Sequence, residues 1–134
     1  MIEWIRGAIL GAQVVPSATP AIDALPKRVV LRRGRLVPWL GGRLSGMGAP
    51  AAAVTIGRTI ILRPGVDLTP GLLAHELAHV RQWESDLLFP IRYSWATFRH
   101  GYRDNPYEVE AREAEVSGAT ADSDQEAIEW NDPS

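Results

Sequence analysis

The stretch Leu72-Leu73-Ala74-His75-Glu76-Leu77-Ala78-His79-Val80-Arg81-Gln82-Trp83 constrains this chain more than any other. Its apolar residues recur at helical spacing. Leu72, Leu73, Leu77, Val80 and Trp83 cover one broad arc, and Ala74 and Ala78 let a neighbour come close on another side. His75 and His79 then stand one turn apart on one face, with Glu76 beside them. Two imidazoles at that spacing with an adjoining carboxylate form the HExxH pattern, in which the histidines hold zinc and the glutamate acts as general base. Glu76 falls at the border of the apolar arc, where a carboxylate needs a compensating partner; a cation, or a water on it, supplies one.

The flanking sequence sets this helix in place. Thr69-Pro70 reads as an N-cap followed by a proline at the first helical position, and the helix is expected to run to about Glu84. Upstream, Ala53 to Ile56 and Thr59 to Leu62 flank Gly57-Arg58 as a hairpin, stopped by Arg63-Pro64-Gly65. Arg28 to Trp39 reads as a second hairpin with its turn near Arg33-Gly34, and the glycines from Gly41 to Gly48 read as loop. Downstream, Asp86 to Phe98 is apolar and aromatic, and predicts a covering helix that starts near Pro90. Residues Arg99 to Asp104 read as a polar connector.

Composition bounds the chemistry. The 134 residues suit one domain, and 46% hydrophobic with 22% charged is ordinary for a globular chain. No cysteine is present, so any metal must be held by His, Asp or Glu. A net charge of -2 gives no overall case for nucleic acid. Lys27, Arg28, Arg32, Arg33, Arg35 and Arg43 form an acid-free stretch, but no aromatic residues interleave it as in a nucleic-acid binder. No apolar run is long enough to span a bilayer. Met1 to Arg6 lacks the pattern of a signal peptide, so a cytoplasmic location is expected, with export by a specialised system left open. The start reads as a short helix to about Val14 that packs through Ile2, Ile5 and Ile9.

A third ligand is expected from a later helix. Asn105-Pro106 opens an acidic one carrying Glu108, Glu110, Glu113 and Glu115. Glu108 has a sufficient local role as a capping-box residue paired with Arg112. Glu110 lies between Tyr107 and Ala114 on the small-residue face, and is the expected metal ligand with His75 and His79, ahead of Glu108 and Glu113. His100 reads as a surface or loop histidine.

Two segments, Ala53 to Gly65 and Leu72 to Gln82, together resemble the small zincin-like domains in core proteins of bacterial extracellular contractile injection systems. Those domains carry a hairpin, a Pro-Gly turn, a Leu-Leu-Ala-His-Glu-Leu-any-His helix and a downstream Glu-Ala, matched by Glu110-Ala111. The resemblance spans about Ala51 to Ala119 and implies a gluzincin-like metallopeptidase fold with zinc. Trp83 and Arg112 stand where those domains often have Gln and Asp, which leaves the residue that orients a histidine unassigned.

The reading is an α+β, zincin-like chain: a short helix and linker over 1–26, with Pro16 to Ala21 extended, a zincin-like domain over 27–119, and a disordered acidic tail over 120–134. The expected function is zinc (Zn2+)-dependent hydrolysis of a peptide or protein substrate. Glu76 would act as the base, Thr59 to Leu62 would pair with an extended substrate, and the oxyanion stabiliser would come from Tyr102, Tyr107 or His100. The alternative is a non-catalytic zinc-binding module in an assembly or adaptor protein, with the acidic tail as a possible contact for a protein partner.

Overall fold

A computed structural model describes residues 2–13, 25–44 and 46–130 of the chain, without the side chains of 2–4, 6, 13 and 122–130. The order is α1 (Ile2–Leu10), β1 (Ala12–Gln13), β2 (Val30–Arg33), α2 (Leu36–Leu44), β3 (Ala53–Ile56), β4 (Thr59–Leu62), α3 (Pro70–Ser85), α4 (Phe89–Asp104) and α5 (Pro106–Trp130). The class is α+β, as expected. The linker expected at Pro16 to Ala21 lies outside the described residues.

Four strands form one sheet in the order β1-β2-β4-β3. The β3–β4 hairpin forms as the sequence predicts, with Val54 opposite Ile61 and Thr55 opposite Ile60, and Gly57 turns at φ 61°. β4 is central, and its Ile60, Ile61 and Leu62 are wholly buried, which is why it reads as a continuous apolar run rather than an alternating one. Val29, Leu31, Leu68, Leu73 and Val80 pack with Ile60 and Leu62 as the core.

The hairpin expected from Arg28 to Trp39 does not form. β2 pairs in parallel with β4, Leu31 beside Ile60, and after Gly34 the chain turns into α2. Pro38 falls in the first turn of α2, where its missing N–H costs no helical hydrogen bond, so it does not exclude the helix. Gly41 and Gly42, expected in a loop, lie inside it.

In α1, Ile5 and Ile9 keep 44% and 47% of their surface, so the packing expected through them is only partial. α3 starts as predicted: the Thr69 hydroxyl accepts a hydrogen bond from the Leu72 amide, with Pro70 first in the helix. α4 packs on α5 and α3 and takes in the whole of the expected connector. Gly101, at φ 78° and ψ 169°, breaks its helical path before Tyr102; that backbone state favours glycine.

α5 lies against α3, with small residues at the contact. A Cβ on Gly118 would meet the Ala74 Cβ at 2.7 Å, and Gly71 faces the Glu115 backbone. The backbone of α5 continues to Trp130, where a disordered tail is expected from residue 120. No helix among the described residues is long and apolar enough to cross a membrane.

Candidate metal centre

The centre is built where α3 and α5 face each other. His75, Glu76 and His79 are all buried, as a partnered polar cluster would be. Both Nε2 atoms turn to Glu108, with His79 Nε2 3.3 Å from Oε1 and His75 Nε2 3.5 Å from Oε2. His75, His79 and Glu108 each offer a ligand atom, all within 4.8 Å of one another.

The outer hydrogen bonds fix what each imidazole presents. Gln82 Nε2 donates to the Tyr107 carbonyl at 3.1 Å, so its Oε1 must face His79 Nδ1, 2.8 Å away. An amide oxygen only accepts, so Nδ1 carries the proton and, in the neutral ring, Nε2 is a bare lone pair. His75 Nδ1 lies 3.0 Å from Glu115 Oε2, a carboxylate oxygen with the same effect. Each ring is therefore turned by an acceptor behind it, in the manner of metal-binding histidines.

Glu108 is held just as firmly. The Tyr93 hydroxyl donates to its Oε1 at 2.5 Å, whereas Oε2 is buried with no hydrogen-bond partner among the described residues. Bare imidazole nitrogens facing carboxylate oxygens repel unless a cation or protons intervene. The donor set, two imidazoles and a carboxylate, suits zinc, and the orphaned Oε2 fits a ligand atom. Burial alone would raise the Glu108 carboxyl, but the His75 and His79 rings and the Tyr93 hydroxyl outweigh it and hold the group far below the usual carboxylate range. Burial pulls His75 and His79 down, and the Glu108 and Glu76 carboxylates more than offset that, so both stand above the ordinary histidine value.

Glu76 is oriented from the sheet. Thr55 on β3 donates to Glu76 Oε2 at 2.7 Å, and Trp83 Nε1 donates to the Thr55 carbonyl. Burial raises the Glu76 carboxyl, opposed by the His79 charge and the Thr55 hydrogen bond.

Of the acids weighed for the third ligand, Glu108 and not Glu110 faces the two histidines. Glu108, Ala111, Glu115 and Gly118 share the face of α5 turned to α3, and Glu110 is about 200° around the helix from Glu108. Glu110 and Glu113 are both exposed. Arg112 donates to the Arg103 carbonyl, so the expected pairing with Glu108 is not found.

A cavity of about 1070 Å³ opens on these residues, walled by β3, by the Gly41 to Pro50 region and by α4. Tyr102 lines it, and burial and the Glu108 charge push its hydroxyl well above the usual tyrosine value. The other two oxyanion candidates do not line it. His100 is exposed, and Tyr107 packs edge-on against Phe89. The strand expected to take substrate, Thr59 to Leu62, is paired on both sides; among the described residues β3 is the edge strand beside the cavity, with its Thr55 carbonyl taken by Trp83.

Sequence reasoning missed Tyr93, Gln82, Glu115 and Thr55. Gln82 lies one helical turn after His79 and was visible as a second polar residue on the buried side of α3; Tyr93 and Thr55 carried no sequence signal. The basic stretch is largely used internally. Arg28 pairs with Glu84, Arg32 donates to the Gly11 carbonyl and Arg33 to that of Val66.

Residues 45–86 match the eCIS core domain family, which supports the resemblance read from the hairpin and the His-Glu-Leu-Ala-His helix. The match spans the hairpin and α3 but stops before α5, which supplies Glu108. No curated protein and no solved structure matches the chain.

Proposed function

We propose that this chain is a zinc-binding module, with the ion held by His75, His79 and Glu108, and that it serves as an assembly or adaptor component. One observation carries the metal: two imidazoles whose Nδ1 atoms are tied back converge on a buried carboxylate that has an oxygen left unpartnered. The assembly role is supported by the similarity of residues 45–86 to the eCIS core domain. Zinc joining α3 to α5 would tie these two helices together through their buried faces.

A second reading is favoured by Glu76 and the cavity: a zinc-dependent, gluzincin-like peptidase. A bound zinc ion supplies Lewis acidity and a lowered pKa for water. Glu76, aimed by Thr55, would take a proton from water as its oxygen adds to the peptide carbonyl, and would give that proton to the amine as the C–N bond breaks. The edge of β3 would align an extended segment by main-chain hydrogen bonds, and Tyr102 would donate its proton toward a developing oxyanion.

One experiment separates the readings. Zinc per chain and cleavage of an unfolded protein are measured on the wild type and on Glu76→Gln. One zinc in both proteins with cleavage in neither supports the module. Cleavage by the wild type alone, with zinc retained in the variant, supports the peptidase. No zinc in the wild type, even after reconstitution, sinks both.

A further inference from the structure

α4 is apolar on two sides. Phe89 and Ala96 are buried on the inner side, with Tyr93 packing against Phe89 and Tyr107. On the other side Leu87, just before the helix, is 97% exposed, Leu88 52%, Ile91 68%, Trp95 62% and Phe98 83%. Their spacing places them on one stripe, and the Trp95 and Phe98 rings lie 5.9 Å apart along it. Isolated exposed apolar residues are ordinary, but five in one stripe are not.

The stripe is complementary to itself. We propose that two copies of this chain pair through α4, antiparallel about a two-fold axis near residue 93. In that register Trp95 meets the partner's Ile91, Phe98 meets the partner's Leu88, and the exposed Arg99 reaches the partner's Asp86. By symmetry every contact is made twice, the pattern of an isologous dimer. The ends match in charge as well. Asp86 is half-buried and holds Arg92 of its own chain at 3.1 Å through Oδ2, and an arginine from the other copy would give it a second cation. The stripe itself carries no acid, so the antiparallel register sets no carboxylate against an apolar anchor. The five side chains present on the order of 600 Å² per copy, near the roughly 800 Å² that each partner brings to a stable interface. Phe98 also lines the cavity, so the second copy would form part of its rim. The pairing does not rest on the metal reading.

Sedimentation velocity of the full chain across the micromolar range tests this, and a concentration-dependent dimer is expected. Trp95→Glu places a charge at the centre of the stripe on an exposed side chain, and weakens the dimer by at least about 30-fold, as expected for a central aromatic anchor. Arg99→Asp, also at an exposed position, weakens it by setting two like charges together. The chain has no cysteine, so Ser94→Cys, near the axis, should form a disulfide between copies under mild oxidation, and Glu113→Cys on α5 should not. A monomer at every concentration overturns the proposal, including one that instead floats with anionic phospholipid vesicles. So does a dimer that Trp95→Glu leaves intact, or one in which Ser94→Cys fails to cross-link.

Discussion

Glu108 shows how much one side chain can depend on its surroundings. Tyr93 occupies one of its oxygens, both imidazoles approach it, and its second oxygen is buried with no hydrogen-bond partner among the described residues. Glu110, two positions on, faces outward. Glu108→Ala is therefore expected to lower zinc affinity by more than the 10–100-fold that losing an outer partner typically costs, whereas Glu110→Ala leaves it unchanged. Competition against a chromophoric chelator measures both, and equal losses would refute the assignment. The sequence made His75, Glu76 and His79 legible because a local helix repeat alone brings them together. Glu108 was not legible, because its place depends on which face of α5 meets α3, and its local environment offered a complete explanation as a helix cap. Asn105 does hold that position, with its Oδ1 accepting from the Tyr107 amide, but the Glu108 side chain turns inward instead of back to the cap.

The packing of α3 on α5 decides the site at the scale of elements. Its close approach depends on Gly71, Ala74, Ala111 and Gly118, and at Gly118 even one methyl would stand 2.7 Å from Ala74. Two effects compete in any substitution there. A residue other than glycine gains up to about 1 kcal/mol of helix propensity, while overpacking costs roughly 1–3 kcal/mol. Valine gains little propensity and adds more bulk, so Gly118→Val is expected to destabilise the chain by about 1–3 kcal/mol in urea unfolding. It should also weaken zinc binding, because moving α5 moves Glu108 and Glu115 together. Full stability with normal zinc affinity would show that the two helices do not set the site. The same scale separates what was legible from what was not. The β3–β4 hairpin and the α3 cap follow from neighbouring residues, so sequence alone predicted them. β2 was mistaken for half of a hairpin because its partner, β4, lies 29 positions away at Leu31 and Ile60, and its parallel pairing leaves no turn to read.

Over the whole molecule, charge is laid out in two parts. Lys27 to Arg63 contains eight cations and no acid, while α5 carries eight of the sixteen acids. Glu84, at the end of α3, links the two. Arg28, ahead of β2, donates to its Oε1 at 2.8 Å, and Arg58, in the β3–β4 turn, donates to the same oxygen at 2.9 Å. One carboxylate thus joins the segment ahead of β2 and the β3–β4 turn to the helix that carries the histidines. The Arg28 hydrogen bond and charge, aided by Arg58 and only partly opposed by burial, hold the Glu84 carboxyl below its ordinary value of 4.5. A carboxyl lowered on folding contributes stability that is fully present above its unfolded pKa, and that stability is lost as pH falls through the folded value. Glu84→Gln is therefore expected to melt at a lower temperature than the wild type at neutral pH. The gap should close as the pH is taken below about 4, where the wild-type carboxylate takes up its proton. Added salt should narrow it at neutral pH, because both arginine partners are exposed. Thermal melts of both proteins across a pH series read the effect, and a gap that stays constant from neutral to acidic pH would show that Glu84 acts through packing rather than charge.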